Sequence, residues 1–519
     1  MLRRALRLRC PRVAAALALP FLFALPFLFA FARPAFPAAP PSPAEDAAFL
    51  DALTWGVTPS GFAELRAKGR ERWLREQLHP PADTRLPLAA QAQIDATARP
   101  GTLFERVAAL DAQARAANAL PDPDARKAAQ AAYQGALNAS ARDAAAATLL
   151  RALTDPNQLR ERLAWYWFNR LNVYVGKANL RALVGDYLDL GIRPHVLGRF
   201  RDLLAATLRH PAMLRYLDNA DNAAGHVNEN YARELMELHT MGVGSGYTQA
   251  DVEALARILT GIGIEARPDD PKVKPERAGD LVRAGLFLFN PNRHDYGDKV
   301  FLGHAIRGRG WAEVEEALDI LCRHPATARN VARFLATAFM GDTVPAPLVE
   351  RLAGVFARTD GDLAAVLDAL VHAPEFTASL GSGFKDPMRY VLSAVRLAYD
   401  GRPVLNTGPI QGWLNRLGEG LFTRTTPDGY PLAAAAWNGP GQLATRFEVA
   451  RQIGSGPAGL FRPPAPDAVE APAFPLLQNA LYFAVLAGTL GPATQAALAQ
   501  AVTPQDWNTL FLSSPEFMR

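Results

Sequence analysis

A short helix with two different faces is indicated by residues 228–242, which read NENYARELMELHTMG. Asn228 is the expected N-cap, and Gly242 is the expected stop at the C-terminal end. Spacing at i, i+4 and i+7 places residues on a common helix face and produces two stripes here. The apolar stripe consists of Tyr231, Leu235 and Leu238. The polar stripe consists of Asn230, Glu234 and Glu237. We therefore predict a helix over 229–240 that presents two carboxylates and an amide side by side.

Helical periodicity extends from this segment in both directions along the chain. It covers an N-terminal block, 46–260, and returns in a C-terminal block, 304–519. The stretch between them, 261–303, is rich in glycine, proline and charged residues around two short apolar runs, 286–289 and 300–302. We predict a mostly α protein whose large multi-helix body is continuous from about residue 50. It carries a small β-hairpin or β insertion near residues 261–303, in which the two runs pair across a wide loop.

The N-terminus has the layout of a secretory leader. Five arginines in a short basic stretch precede an uncharged run from Val13 to Ala32, and this order is typical of a signal peptide. We predict a signal peptide over 1–32, a proline-rich linker over 33–45, and export to the periplasm or the medium. The alternative is an uncleaved leader that anchors the chain in the membrane, since about 20 apolar residues span a bilayer.

The basic character of the chain comes from this leader. Residues 1–32 contain five arginines and no acidic residue, so the remaining chain carries 50 basic and 51 acidic side chains, a net charge of −1. Proteins that bind nucleic acid usually carry a strong excess of positive charge. The mature chain lacks that excess, and no nucleic-acid partner is predicted. Contact with a membrane is expected through the leader alone, if it stays uncleaved.

Two polar clusters are candidates for chemistry. Adjacent carboxylates on one helix face suit general acid–base catalysis or a hard cation, and a second cluster lies on the predicted loop of the β insertion. The catalytic candidates are Glu234, Glu237, His294 and Asp295. The binding candidates are Asn219, Asn228, Asn230, Arg233 and Lys299. The alternative for the first cluster is a solvated helix face, in which Arg233 pairs with Glu229 or Glu237.

Known catalytic and metal-binding motifs are absent from the sequence. It contains no His-Glu-x-x-His, no Cys-x-x-Cys, no Gly-x-Ser-x-Gly and no P-loop. We therefore predict no metal site and identify no cofactor. Two functions remain open: a non-catalytic exported binding or scaffold protein, and an exported hydrolase. Convergence of Glu234, Glu237, His294 and Lys299 in one buried pocket would favour the hydrolase.

Several segments resemble an exported bacterial family catalogued as "domain of unknown function 1800". The resemblance covers roughly residue 50 to the C-terminus. The segments that carry it are HPAMLRYLDN (210–219), NENYARELMELHT (228–240), GYTQADV (246–252), NPNRHDYGDK (290–299), HPATA (324–328), PDGY (427–430) and SPEF (514–517). It implies a helical exported protein with no known reaction or ligand. It also implies frequent gene neighbourhood with a second exported family, "domain of unknown function 1501", whose members are the expected partners.

One departure from the family pattern affects any metal chemistry. Family members commonly have a run like Trp-His-Asn-His-Phe, whereas residues 167–171 of this chain read WFNRL. Phe168 and Arg170 stand where the resemblance implies histidines. Metal binding through those two positions is therefore not expected in this protein.

Overall fold

Helices dominate the structure, a computed structural model that describes residues 41–81, 84–463 and 467–519. Helical conformations cover 61% of these residues and strands cover 4%, which confirms the predicted mostly α fold. The predicted signal peptide over 1–32 and most of the predicted linker over 33–45 lie outside the described residues. Among the described helices, none is both long enough and apolar enough to cross a membrane.

Local capping signals start many helices of the N-terminal block. Ser42 and Glu45 form a reciprocal capping box at the first helix, and proline occupies the first turn of several others, where its missing N–H costs nothing. Helices of this block are α1 (Pro43–Leu53), α2 (Pro59–Lys68), α3 (Arg70–Leu78), α4 (Leu88–Thr97), α5 (Leu103–Ala119), α6 (Pro123–Thr154), α7 (Gln158–Arg170), α8 (Val184–Asp186), α9 (Phe200–Arg209), α10 (Pro211–Tyr216), α11 (Asn230–Glu234) and α12 (Gln249–Ile258). Two π-helical segments, Tyr187–Ile192 and Leu235–His239, continue α8 and α11.

The predicted β insertion exists, and it forms two separate small sheets. Its strands are β1 (Ile262–Ile264), β2 (Val282–Ala284), β3 (Phe287–Phe289), β4 (Lys299–Phe301) and β5 (His304–Ile306). β3 lies antiparallel between β1 and β2, and β4 forms an antiparallel hairpin with β5. The insertion therefore extends past residue 303, the predicted boundary.

The predicted pairing of the two apolar runs with each other was wrong. Leu302 and Gly303 have φ angles of 48° and 80°, and two consecutive residues of positive φ make the tight turn that twisted hairpins favour. That turn gives β4 a partner immediately after it in the chain. The run at Phe287–Phe289 finds its partners on the other side, in β1 and β2.

Histidine–proline pairs mark two helix starts in the structure. His324 Nδ1 accepts the backbone N–H of Ala326 at 3.2 Å, and His210 does the same for Ala212. Helices of the C-terminal block are α13 (Trp311–Arg323), α14 (Pro325–Met340), α15 (Ala346–Arg358), α16 (Leu363–Val371), α17 (Pro374–Ser379), α18 (Pro387–Ala398), α19 (Gly408–Arg416), α20 (Pro440–Ser455), α21 (Ala480–Ala484), α22 (Pro492–Ala499) and α23 (Pro504–Leu512). α14 packs against α15, and α20 packs against α23.

α7 lies in the core of one compact unit that runs from residue 42 to residue 519. Every residue from 161 to 169 is buried, including the polar side chains of Glu161, Arg162 and Asn169. Arg162 is completely buried among them, and its guanidinium donates to the carbonyl oxygens of Ala52, Thr54 and Ala338. Those carbonyls lie at the C-terminal ends of α1 and α14, where backbone acceptors lack helical partners.

Candidate functional site

The central segment is helical as predicted, but half of it is not α-helical. α11 ends at Glu234, and Leu235–His239 continues as a π-helix with i to i+5 hydrogen bonds. The wider turn rotates the residues that follow it. His239 is therefore 1% exposed, whereas Leu238, which was predicted on the buried stripe, is half-buried. π-helical turns are rare and recur at functional sites.

Glu234 and Glu237 lie on the outer face of this segment, and both are half-buried. Arg233 Nη2 lies 3.0 Å from Glu229 Oε2, and Arg233 Nη1 lies 3.7 Å from Glu237 Oε1, as the solvated-face alternative predicts. Glu234 has no hydrogen bond or ion pair within the described residues. Burial raises the pKa of Glu234, and the charges of Glu237 and Asp428 raise it further.

A loop over residues 423–431 covers the C-terminal end of α7 beside this face. Asn169 Nδ2 donates to Tyr430 O at 2.8 Å, and Asn169 Oδ1 accepts from Tyr430 N at 2.6 Å. Asn172 Nδ2 donates to two further carbonyls of the loop at 3.0 and 2.8 Å. Gly429 has a φ of 74°, and a Cβ at this position would lie 2.0 Å from Asn169 O. Glycine is required there because the two backbones touch.

Arg170, at the end of α7, is a half-buried cation without a hydrogen-bonding or ion-pair partner among the described residues. Its guanidinium carbon lies 5.3 Å from the centre of the Phe334 ring, and it makes no hydrogen bond or ion pair with any described residue. Burial lowers the pKa of Arg170 to about 10. Two buried polar atoms of the neighbouring segment, Tyr231 Oη and His239 Nε2, also lack partners among the described residues. Burial and the charge of Arg170 lower the pKa of His239 to about 3, so this imidazole is neutral at physiological pH.

His294 and Lys299 belong to a different, fully buried ion cluster around Glu313 in the first turn of α13. His294 Nε2 lies 2.9 Å from Glu313 Oε1, and Lys299 Nζ lies 2.5 Å from Glu313 Oε2. The backbone N–H groups of Arg309 and Gly310 donate to Glu313 Oε1 at 2.6 and 3.1 Å. Burial alone would raise the pKa of Glu313, but the hydrogen bonds from His294 and Lys299 outweigh it, and the pKa lies below its ordinary value.

Asp295 is held in a salt bridge of its own. Arg257 Nε lies 2.7 Å from Asp295 Oδ2, and Arg257 Nη2 lies 3.3 Å from Asp295 Oδ1. The hydrogen bond from Arg257 lowers the pKa of Asp295. Within the described residues, no hydrogen bond or ion pair joins Asp295, His294 or Lys299 to Glu234 or Glu237. The expected convergence of the catalytic candidates is therefore not found, because His294, Asp295 and Lys299 have closer partners.

The three asparagines predicted to bind a ligand form hydrogen bonds with backbone groups of the chain instead. Asn219 Nδ2 donates to the carbonyl oxygen of Leu259 at 3.3 Å, and Asn230 Nδ2 donates to that of Leu217 at 3.2 Å. Asn228 Oδ1 accepts the N–H of Asn230 at 2.9 Å. Asn228 lies two residues before the start of α11, and Glu229 occupies the N-cap position where Asn228 was predicted. These amides are occupied by the chain itself.

The structure thus divides the predicted residues between two places. Glu234, Glu237 and Arg233 lie beside the 423–431 loop, whereas His294, Asp295 and Lys299 lie in the ion pairs with Glu313 and Arg257. Across the described ranges, no group of three or more His, Cys, Asp or Glu side chains is placed to hold a metal ion. Sequence reasoning missed two residues, Arg170 and Glu313. Glu313 carried a detectable signal, since a glutamate in the first turn of a helix commonly caps it.

Comparison with known proteins identifies the family and goes no further. No curated protein and no solved structure matches the chain significantly. One family model does match, over residues 48–519, and it carries the description "Protein of unknown function (DUF1800)". Because the match covers residues 48–519, well over half of the chain, this protein belongs to the DUF1800 family.

Proposed function

We propose that this protein is an exported, non-catalytic binding protein that holds an anionic group at Arg170. The site, called here the Arg170 site, consists of the end of α7, residues 230–239 and the 423–431 loop. The observation that carries the proposal is the unpartnered guanidinium of Arg170, which burial has stripped of part of its water. An isolated charge in such surroundings costs free energy unless an opposite charge compensates it.

The chemistry of the Arg170 site suits an anion with oxygen atoms. A pKa of about 10 leaves Arg170 protonated at neutral pH, and its planar fork matches the geometry of a carboxylate or phosphate group. Tyr231 Oη and His239 Nε2, on the adjacent segment, are unpartnered polar atoms. The hydroxyl group is able to donate a hydrogen bond, and so is the neutral imidazole in one of its two tautomers.

The departure from the family pattern supports an anion over a metal ion. Arg170 stands where the resemblance implies a histidine, and a guanidinium has no lone pair available to ligate a metal. Its positive charge also repels cations. The anion belongs either to a small molecule or to an acidic side chain of a partner. An exported protein of the "domain of unknown function 1501" family is the partner we propose.

The second candidate, an exported hydrolase, is favoured by one observation. The raised pKa of Glu234 beside Glu237 is the environment in which a carboxylic acid serves as a general acid. Two of the four proposed catalytic groups are engaged elsewhere, since His294 pairs with Glu313 and Asp295 pairs with Arg257. The binding protein is therefore the better supported proposal.

We expect Arg170→Met to weaken anion binding by about tenfold or more, because hydrogen bonds to charged groups contribute about 1.5–3 kcal/mol. Calorimetric titration of the mature chain with phosphate, sulfate and acetate at low ionic strength measures the effect. Arg170→Lys keeps the charge and should retain part of the affinity. The matched control is Arg115→Met, on the exposed side of α5, which should bind like the parent.

Two results would contradict the binding proposal. One is equal affinity of the parent and Arg170→Met for every anion tested. The other is hydrolysis of a generic ester or phosphate monoester by the parent that Glu234→Gln abolishes and Arg170→Met leaves intact. The second result would establish the hydrolase in its place.

Export is a separate expectation with its own measurement. We expect the mature chain to begin at or near Arg33, because the apolar run ends in the small-x-small triplet that precedes signal-peptide cleavage. N-terminal sequencing of the protein from a periplasmic or extracellular fraction tests it. Recovery of the chain from the membrane pellet with Met1 at its N-terminus would contradict it and support the anchored alternative.

A further inference from the structure

A cavity of about 490 Å³ lies between α1, α4, the junction of α6 and α7, and α18. It falls within the range of small-molecule sites, about 300–1,000 Å³. Its walls are largely apolar and include Leu50, Trp73, Ala90, Leu153 and Tyr399. None of its lining residues belongs to the Arg170 site.

Most polar groups of this cavity are already satisfied by the chain. Thr54 Oγ1 donates to Leu50 O at 2.7 Å, and Gln93 Nε2 donates to Val404 O at 2.9 Å. Asp400 accepts from the backbone N–H of Ser60 at 2.7 Å and from its hydroxyl group at 2.6 Å. The other two lining acids, Glu64 and Asp155, are paired with Lys68 and Arg160, respectively.

Two arginines of the lining, Arg396 and Arg402, have no ion pair with a described residue. Arg402 is exposed, whereas Arg396, which projects from α18, is half-buried. Of its five N–H donors, one is used, in a hydrogen bond from Nη1 to Gly56 O at 3.1 Å. No carboxylate of the described residues lies within ion-pair distance of it. Burial lowers the pKa of Arg396 to about 10, although Asp400 and Asp51 oppose that shift. The guanidinium therefore remains charged at neutral pH, with donors that the chain leaves unused.

Gln158 supplies a second, independent unpartnered group on the same cavity. Its side chain is 6% exposed, and its Nε2 donates to Ala152 O at 3.1 Å and to Asp155 O at 2.7 Å. These two bonds fix the orientation of the amide. Its Oε1 accepts from no described residue, and a buried acceptor without a donor is costly.

We propose that this cavity, called here the Arg396 cavity, binds a small organic acid with an apolar body. The carboxylate of the ligand pairs with the guanidinium of Arg396, and the apolar body contacts the walls formed by α1, α4 and α6. A hydroxyl or amide N–H on the ligand would satisfy Gln158 Oε1. This site is separate from the Arg170 site and does not depend on the function proposed for it.

Decanoate is a suitable probe, with decan-1-ol as the uncharged comparison of equal chain length. We expect the parent protein to bind decanoate about tenfold or more tightly than decan-1-ol, because only the acid pairs with the guanidinium. Arg396→Met should remove that difference, whereas Arg396→Lys should retain part of it. Trp73 lines the cavity, so its fluorescence offers a direct readout beside calorimetry.

Ala90→Leu adds a larger side chain to the cavity wall at α4 and leaves Arg396 in place. It should weaken the binding of decanoate and of decan-1-ol alike. Arg333→Met, on the exposed face of α14, is the matched control and should change neither affinity. Circular dichroism and thermal melting identify any variant that fails to fold. Equal binding of acid and alcohol by the parent would overturn the proposal. So would unchanged decanoate affinity in both folded variants, Arg396→Met and Ala90→Leu.

Discussion

Substitution of Glu313 by glutamine is expected to lower the free energy of unfolding by about 3–5 kcal/mol, the cost of breaking a buried ion pair by removing one partner. The side chains of Glu313, His294 and Lys299 are all completely buried. The neutral amide would leave Lys299 as an uncompensated charge in the interior. The NH₂ group of the glutamine would also face an N–H donor whose hydrogen bond the carboxylate of Glu313 accepts. Chemical denaturation at pH 7 measures the loss.

The matched control for this prediction is Glu316→Gln, one turn along α13, whose ion pair with Arg309 is partly exposed to solvent. We expect that variant to lose no more than about 1 kcal/mol. The pKa of Glu313 is lower in the folded state, so its stabilisation is present above the ordinary glutamate pKa and is lost as the pH falls below about 4. The difference between Glu313→Gln and the parent should therefore shrink in acid. A difference that is small at pH 7 would contradict the structural role of the cluster.

Arg162→Met is expected to cost about 3 kcal/mol or more, although no carboxylate is removed. Met fills much of the arginine volume, so the loss comes from the carbonyl oxygens of Ala52, Thr54 and Ala338, which would be buried without donors. Each such group costs about 1–3 kcal/mol. Thermal melting together with denaturant unfolding measures the effect.

Arg333→Met provides the comparison for Arg162→Met, since Arg333 is exposed on α14. Surface substitutions of this kind usually change stability by about 0.5 kcal/mol or less. If Arg162→Met melts like Arg333→Met, water or neighbouring donors replace the guanidinium. The three carbonyls would then not depend on Arg162.

Helix starts were predictable because their signals are local. A proline in the first turn and a side chain that caps the following N–H act within four residues, as at His324 and α14. Strand pairing depends on which segments the fold brings together, and local sequence patterns do not specify that. Phe287–Phe289 pairs with β2, from which two residues separate it, and with β1, which lies more than 20 residues upstream. Neither partner was predicted, because both are shorter than the runs of about 4–8 residues that identify strands in a sequence. The tight turn at Leu302 and Gly303 gave β4 a nearer partner.

The candidate site was predictable only in part, for a similar reason. The adjacency of Glu234 and Glu237 follows from helical spacing and needs no tertiary information. The partners of His294 and Lys299 depend on where α13 packs, and sequence spacing does not supply that position. In the sequence, Arg170 was notable only because it replaces a histidine that the resemblance to the family implies. Its lack of a partner is a property of the folded chain.

The π-helical segment Leu235–His239 has a consequence for the length of the chain. Tyr231 and His239 both face the core, although eight positions on a regular α-helix would set them about 80° apart. With one residue fewer between them, an ordinary α-helix would bring the same two side chains to within about 20° of a common face. Elsewhere in a helix, deletion of one residue rotates every later side chain away from its position. In this segment, the same deletion would leave the side chains at both ends facing the core. A one-residue gap at this place between related chains would therefore mark a change of helix type within an unchanged fold.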